Sequence, residues 1–215
     1  LSAQELFWYD VLLEVEGEDV TEFEKTVDAY YSSVDFPEDV TMTFSSIGLK
    51  GQGFEETHIL SFVSPSSQSL ANLRASLSDE KWENYLDLVR PLVDNVRVSA
   101  GNASKVFNAE EFYPIGQVWG FKVKSKYIPQ FTVAFEKLMQ TFDAPGFVGL
   151  ANVTHGISNG ENLLIYGTYP DLNSAFTFGP NNEAEAGAFA EFFNVTGEIS
   201  EFTQSWTRVK IQDYN

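Results

Sequence analysis

Two histidines, His58 and His155, are the side chains able to move a proton near neutrality without help, because imidazole alone titrates there unperturbed. His155 follows Gly149, Ala151 and Val153 on one face of an alternating stretch, and such small residues leave room for a ligand. It is the candidate proton-transfer group, ahead of His58, which begins a different strand. Asn152 and Tyr166 add polar atoms nearby, and Trp119 and Trp206 add large aromatic walls. Where the first half of the chain matches these positions, Phe44 replaces Asn152 and Val11 replaces Trp119. The asymmetry places a pocket in the second half, apolar with a few polar groups, suited to a small apolar or aromatic ligand. The competing reading of the same residues is an aromatic core with a satisfied polar edge.

Other chemistry finds little support. Carboxylate pairs such as Glu55-Glu56 and Asp79-Glu80 lack the ligand spacing of a zinc helix or a calcium loop. Gly51-Gln-Gly53 leads into no helix, so it is not a phosphate loop, and no serine sits in a GxSxG setting. No metal and no cofactor is expected on these grounds. With 0 cysteines, disulfides and thiolate chemistry are excluded. The 31 acidic against 13 basic residues give a net charge of −18, which opposes nucleic acid phosphates and anionic lipid surfaces. No apolar run approaches the roughly 18 residues that span a bilayer. Leu1-Ser2-Ala3-Gln4 resembles the small residues around a signal-peptidase site, so a periplasmic or secreted location is expected. The triplets at Asn102, Asn152 and Asn194 match the glycosylation sequon, a common chance occurrence.

The elements that must carry these residues come twice. Val20, Phe23, Val27, Tyr30, Tyr31 and Val34 fall on one face of an amphipathic helix, and Phe131, Phe135, Leu138, Met139 and Phe142 repeat the pattern. Phe23 to Phe131 and Val34 to Phe142 are both steps of 108. Asp19 and Glu22 form a possible capping box before the first of these helices. Strands are expected at 7–15, 40–48, 57–63 and 103–107, with helices at 69–76 and from Asp79. The second set is 118–124, 148–156, 162–168 and 205–211, with a helix at 183–193. Short extra turns are expected at 93–98 and 197–202. Pro65 and Ser69 echo in Pro170 and Ser174 at a step of 105, the hairpin turn being shorter in the second half. The fold class is α+β: two β-α-β-β-α-β ferredoxin-like repeats, residues 1–110 and 111–215.

Two such units, each with one sheet face too apolar to leave bare, resemble the dimeric α+β barrel superfamily, here on one polypeptide and packed sheet to sheet. The resemblance implies cofactor-independent monooxygenases of the antibiotic-biosynthesis type, acting on small aromatic compounds. It also implies an axial histidine in haem-binding members, a role open to His155 or His58. Glu14 and Glu16 match Lys122 and Lys124 at the step of 108 and are expected away from the helices, near the junction of the halves. Three functions fit: a small-ligand-binding protein, a monooxygenase-like enzyme using His155, and a protein interaction or assembly module. The pseudo-dimer satisfies the pairing internally as a monomer, with a homodimer as the alternative.

Overall fold

The computed structural model describes residues 5–215; the Leu1–Gln4 segment read as a processing site lies outside them. The first half runs β1 (Leu6–Glu14), α1 (Val20–Tyr31), β2 (Thr41–Lys50), β3 (His58–Ser64), α2 (Ser67–Ser76), α3 (Glu80–Val89) and β4 (Asn95–Phe107). The second runs β5 (Ile115–Val123), α4 (Ile128–Met139), β6 (Val148–His155), β7 (Leu163–Tyr169), α5 (Leu172–Phe176), α6 (Glu183–Ile199) and β8 (Ser200–Tyr214). The eight strands close into one antiparallel barrel in the order β1-β3-β2-β8-β5-β7-β6-β4. Each half contributes four adjacent strands, and the halves meet at two seams, β2 with β8 and β4 with β6.

The seams explain two departures from the sequence reading. Segments 93–98 and 197–202, expected as turns, instead hold the start of β4 (from Asn95) and the end of α6 with the start of β8 (from Ser200), strands of 13 and 15 residues. Each must pair on both sides, and the two pairings are staggered along it. Asn95–Ala103 lies against β1 while Ala100–Phe107 lies against β6. Ser200–Val209 lies against β5 while Trp206–Tyr214 lies against β2. A strand serving one partner could be shorter. Closure also leaves no free edge among the described strands, so the edge-strand form of an assembly module has no template here. The capping box at Asp19 does not form: Asp19 is helical and its side chain makes no cap bond. Asp79 does cap α3, accepting from the Trp82 N–H at 2.9 Å.

Alternation along every strand separates two kinds of core. One face packs against helices, in a first-half cluster built on Phe23, Met42, Phe44 and Phe62 and a second-half cluster built on Phe131, Phe135, Leu150 and Leu163. The other face points into the barrel, where Leu12, Ile59, Val118 and Trp206 meet. Glu14 and Lys122 end their strands on the barrel-facing parity, as expected, but neither sits at a seam. Glu14 faces Asn95 within the first half, and Lys122 reaches Glu201 at 3.8 Å within the second.

Candidate functional site

The second half holds a cavity of about 280 Å³ between its sheet and its helices. β5 supplies Trp119 and Phe121, β7 supplies Ile165, Gly167 and Tyr169, and α4 and α6 supply Leu138, Met139, Phe189 and Phe192. Phe178, in the segment between α5 and α6, closes one side, with its ring 5.3 Å from Trp119 and 5.6 Å from Phe142. The mouth is apolar too, since Phe178, Phe193 and Phe202 are exposed there. Polar atoms are few. The buried Tyr169 hydroxyl donates only a long 3.4 Å bond to Gln117, and burial pushes its phenol well above the ordinary range. Thr168, Thr196 and Ser200 complete the polar lining, and no carboxylate, imidazole, lysine or arginine reaches it.

At the matching place in the first half, buried rings among the described residues fill the space, and two substitutions account for the difference. Tyr9 pairs with Phe62 across β1 and β3, and the matching pair across β5 and β7 is Gln117 with Gly167. Phe62 is 1% exposed and its ring meets Tyr31 at 5.9 Å, filling the sheet–helix space. Gly167 leaves that volume empty, and the nearest atom to a Cβ placed there is on Trp119 at 3.5 Å. Tyr31, 3% exposed between Phe62 and Tyr85, becomes Met139 at the step of 108. Sequence reading passed over both, although the step of 105 between the third strands already sets Phe62 against Gly167.

The residues singled out from sequence do not form one site. Trp119 lines the sheet–helix cavity. Tyr166 and Trp206 face the opposite way, into a separate space inside the barrel. Asn152 falls on the helix-facing parity of β6 but lines neither. His155 is exposed, its Nδ1 3.0 Å from the Thr154 hydroxyl. A register shift explains this: Ala100 pairs with His155 and Gly101 with Val153, so the strand gains a residue and the alternation that would aim His155 inward breaks. His58 is 2% exposed and packed between Phe23 and Phe44, with Nε2 3.3 Å from Glu24. Burial lowers its pKa, and Glu24 opposes the shift.

A haem does not fit the second-half cavity. Neither histidine lines it, and it offers no lysine or arginine for carboxylate side arms.

No protein-family model and no curated protein matches the sequence. Solved structures match by shape along the whole chain. A "putative monooxygenase" of Fusobacterium nucleatum aligns with TM-score 0.69 and 12% identity, over 100% of this chain and 96% of its own. An anthrone oxidase-like protein aligns with TM-score 0.67 and 10% identity, over 99% and 93%. A second "putative monooxygenase", from Lactobacillus acidophilus, aligns with TM-score 0.64 and 11% identity, over 99% and 96%. The closed eight-stranded barrel, its two β-α-β-β-α-β halves and these alignments identify the chain as a dimeric α+β barrel fold carried on a single polypeptide.

Proposed function

We propose that the chain binds a small aromatic molecule in the second-half cavity. One observation carries this reading: a space of about 280 Å³, walled by apolar side chains, lies where the first half is filled by Phe62 and Tyr31. An apolar space of that size gains free energy by exchanging weakly held water for a ring. Exposed phenylalanines at the mouth give such a molecule an apolar way in.

The names carried by structures of this fold favour an oxygenase as the second reading, with the aromatic molecule as substrate. In such a reaction anthrone and O2 would give anthraquinone and water, the methylene carbon of the substrate supplying all four electrons that reduce O2. The cavity would exclude bulk water, and the Tyr169 phenol, held protonated by burial, would serve as a hydrogen-bond donor to a carbonyl. His155 is exposed and does not line this cavity, so the reading assigns it no proton-transfer role there.

Anthrone tests both readings. Saturable binding under anaerobic conditions that is lost in Gly167→Phe is the expected result, and binding indifferent to that substitution would overturn the site. Anthraquinone formation above the uncatalysed rate, also lost in Gly167→Phe, would extend binding to catalysis.

A further inference from the structure

The barrel interior holds a second space, about 100 Å³, whose polar groups are unlike anything in the sheet–helix cavity. Arg208 projects into it from β8 and is 3% exposed. Its guanidinium donates through Nη1 to the Ser45 hydroxyl at 3.1 Å and through Nη2 to the Tyr166 hydroxyl. Both partners are neutral, and no carboxylate of the described residues lies within salt-bridge distance. A buried cation without a counter-ion loses its hydration for little return.

The nearby acids make hydrogen bonds or ion pairs to other groups. Asp213 is held by Lys210 at 2.6 Å and by the Thr43 hydroxyl at 2.8 Å. Asp10 accepts from Ser61 at 2.5 Å, and burial pushes its pKa up to about 6 although Ser61 and Arg208 pull it down. The same space is lined by Trp8, whose buried indole Nε1–H meets no acceptor among the described residues. A buried donor left unsatisfied costs on the order of 1–3 kcal/mol. A guanidinium held directly only by two hydroxyls and an orphan N–H on one small cavity offer the donors a carboxylate would take, most freely while Asp10 is protonated. Ile59, Val118 and Leu164 supply apolar wall for a short tail.

We propose that the barrel interior binds a small monocarboxylate, its head held by Arg208 and the Trp8 indole N–H and its tail lying on Ile59, Val118 and Leu164. An apolar cavity of about 150 Å³ takes benzene, so this smaller space suits acetate or propionate. Thr43, Val63 and Phe112 line both this space and a depression at one end of the barrel, which gives a route inward. The net charge of −18 disfavours anions at long range, so the attraction is the local, desolvated one. The site is separate from the aromatic cavity and stands or falls without it.

Asp10 makes the affinity depend on pH. Around it lie Arg97 from β4, Glu161 from the turn before β7, Tyr166 from β7 and Arg208 from β8, with Asp213 acting on Tyr166. Arg97 is engaged by Glu56 at 2.9 Å, and Glu161 by Thr203 and Gln204. As Asp10 ionises it competes with the ligand for Arg208, so binding weakens as pH rises through about 6.

The test is a titration of the ¹⁵N-labelled chain with sodium propionate at constant ionic strength, following the indole N–H signals of its 4 tryptophans. The Trp8 signal should move downfield and saturate while that of Trp119, in the other cavity, stays still. By calorimetry Trp8→Phe should weaken binding about tenfold, Arg208→Gln should abolish it, and Asp10→Asn should remove its pH dependence. A Trp8 signal unmoved by propionate in the folded chain would overturn the proposal, as would an affinity unchanged by Trp8→Phe. Equal shifts with nitrate or chloride would mark a general anion effect and overturn the carboxylate assignment. Should Arg208→Gln fail to fold, the wild-type and Trp8→Phe titrations decide.

Discussion

The two halves share one plan and solve its packing differently. In the first, the space between sheet and helices is filled by rings: Phe62, Tyr31 and Tyr85 pack together, and Tyr30 stacks on Tyr85 at 4.3 Å. In the second, Gly167 and Met139 stand where Phe62 and Tyr31 would, and a cavity results. The histidines diverge in the same way. His58 is a buried member of the first core, while His155 lies on the surface beyond a strand irregularity. A duplicated architecture therefore fills one copy with rings and leaves a cavity in the other, through a change in side-chain volume at two positions.

The largest expected effect comes from making the first half resemble the second. Phe62→Ala should destabilise the chain by about 3–5 kcal/mol, the range for emptying a buried aromatic site, as chemical denaturation would show. A loss below about 1 kcal/mol would mean that the first core is not packed as described. Next comes His58→Ala, which removes a buried ring from between Phe23 and Phe44 and should cost about 2 kcal/mol. Because burial lowers the folded-state pKa of His58, its contribution is fully present above the unfolded value of 6.5 and is lost as pH falls below it. Stability measured against pH should show that loss, and His58→Ala should remove it.

The reverse change sharpens the comparison. Gly167→Phe should fill the second-half cavity, abolish aromatic binding and raise stability by about 1 kcal/mol through the added apolar burial. A Cβ there makes ordinary contact with Trp119 at 3.5 Å, so the backbone tolerates the change. The smallest effect belongs to His155→Ala. Exposed and remote from the cavity lining, it should alter stability by no more than about 0.5 kcal/mol and leave aromatic binding unchanged. A large loss of binding on that substitution would return His155 to the site.

The duplication was legible because helix faces and strand alternation are local properties, and a step of 108 repeated them. The lengths of β4 and β8 were not, since residues 95–99 and 200–204 are mostly polar or exposed and take their form from β1 and β5, the neighbours within their own halves, beyond the segments that pair across the seams. The site was legible in part. Trp119 against Val11 pointed to the half, and the sheet face, where the structure has its sheet–helix cavity. Tyr166 and Trp206 lie on the barrel-facing parity, so grouping them with Trp119 joined two faces of one sheet. His155 failed for a subtler reason: a one-residue irregularity reverses the face of everything beyond it, and no residue type at that point announces it. The absence of a side chain at Gly167 was the strongest sign of the cavity, and a search for chemically active residues does not look for absences.

The staggered pairing of β8 bears on how the chain is made. Its segment Trp206–Tyr214 closes the ring against β2, whose own residues are 42–50. During synthesis the side of β2 that faces away from β3 therefore waits, with its backbone donors and acceptors unpaired, until more than 150 further residues have emerged (206 − 50). Such a long delay between paired segments predicts slow closure and an early window in which the nascent first half can dimerise through β2 or be captured by a chaperone. The residues that end β2, Leu49 and Lys50, pair with Thr207 and Trp206, the first of the β8 residues that meet β2 to emerge, so covering of that edge can begin there and ends at Met42 against Tyr214.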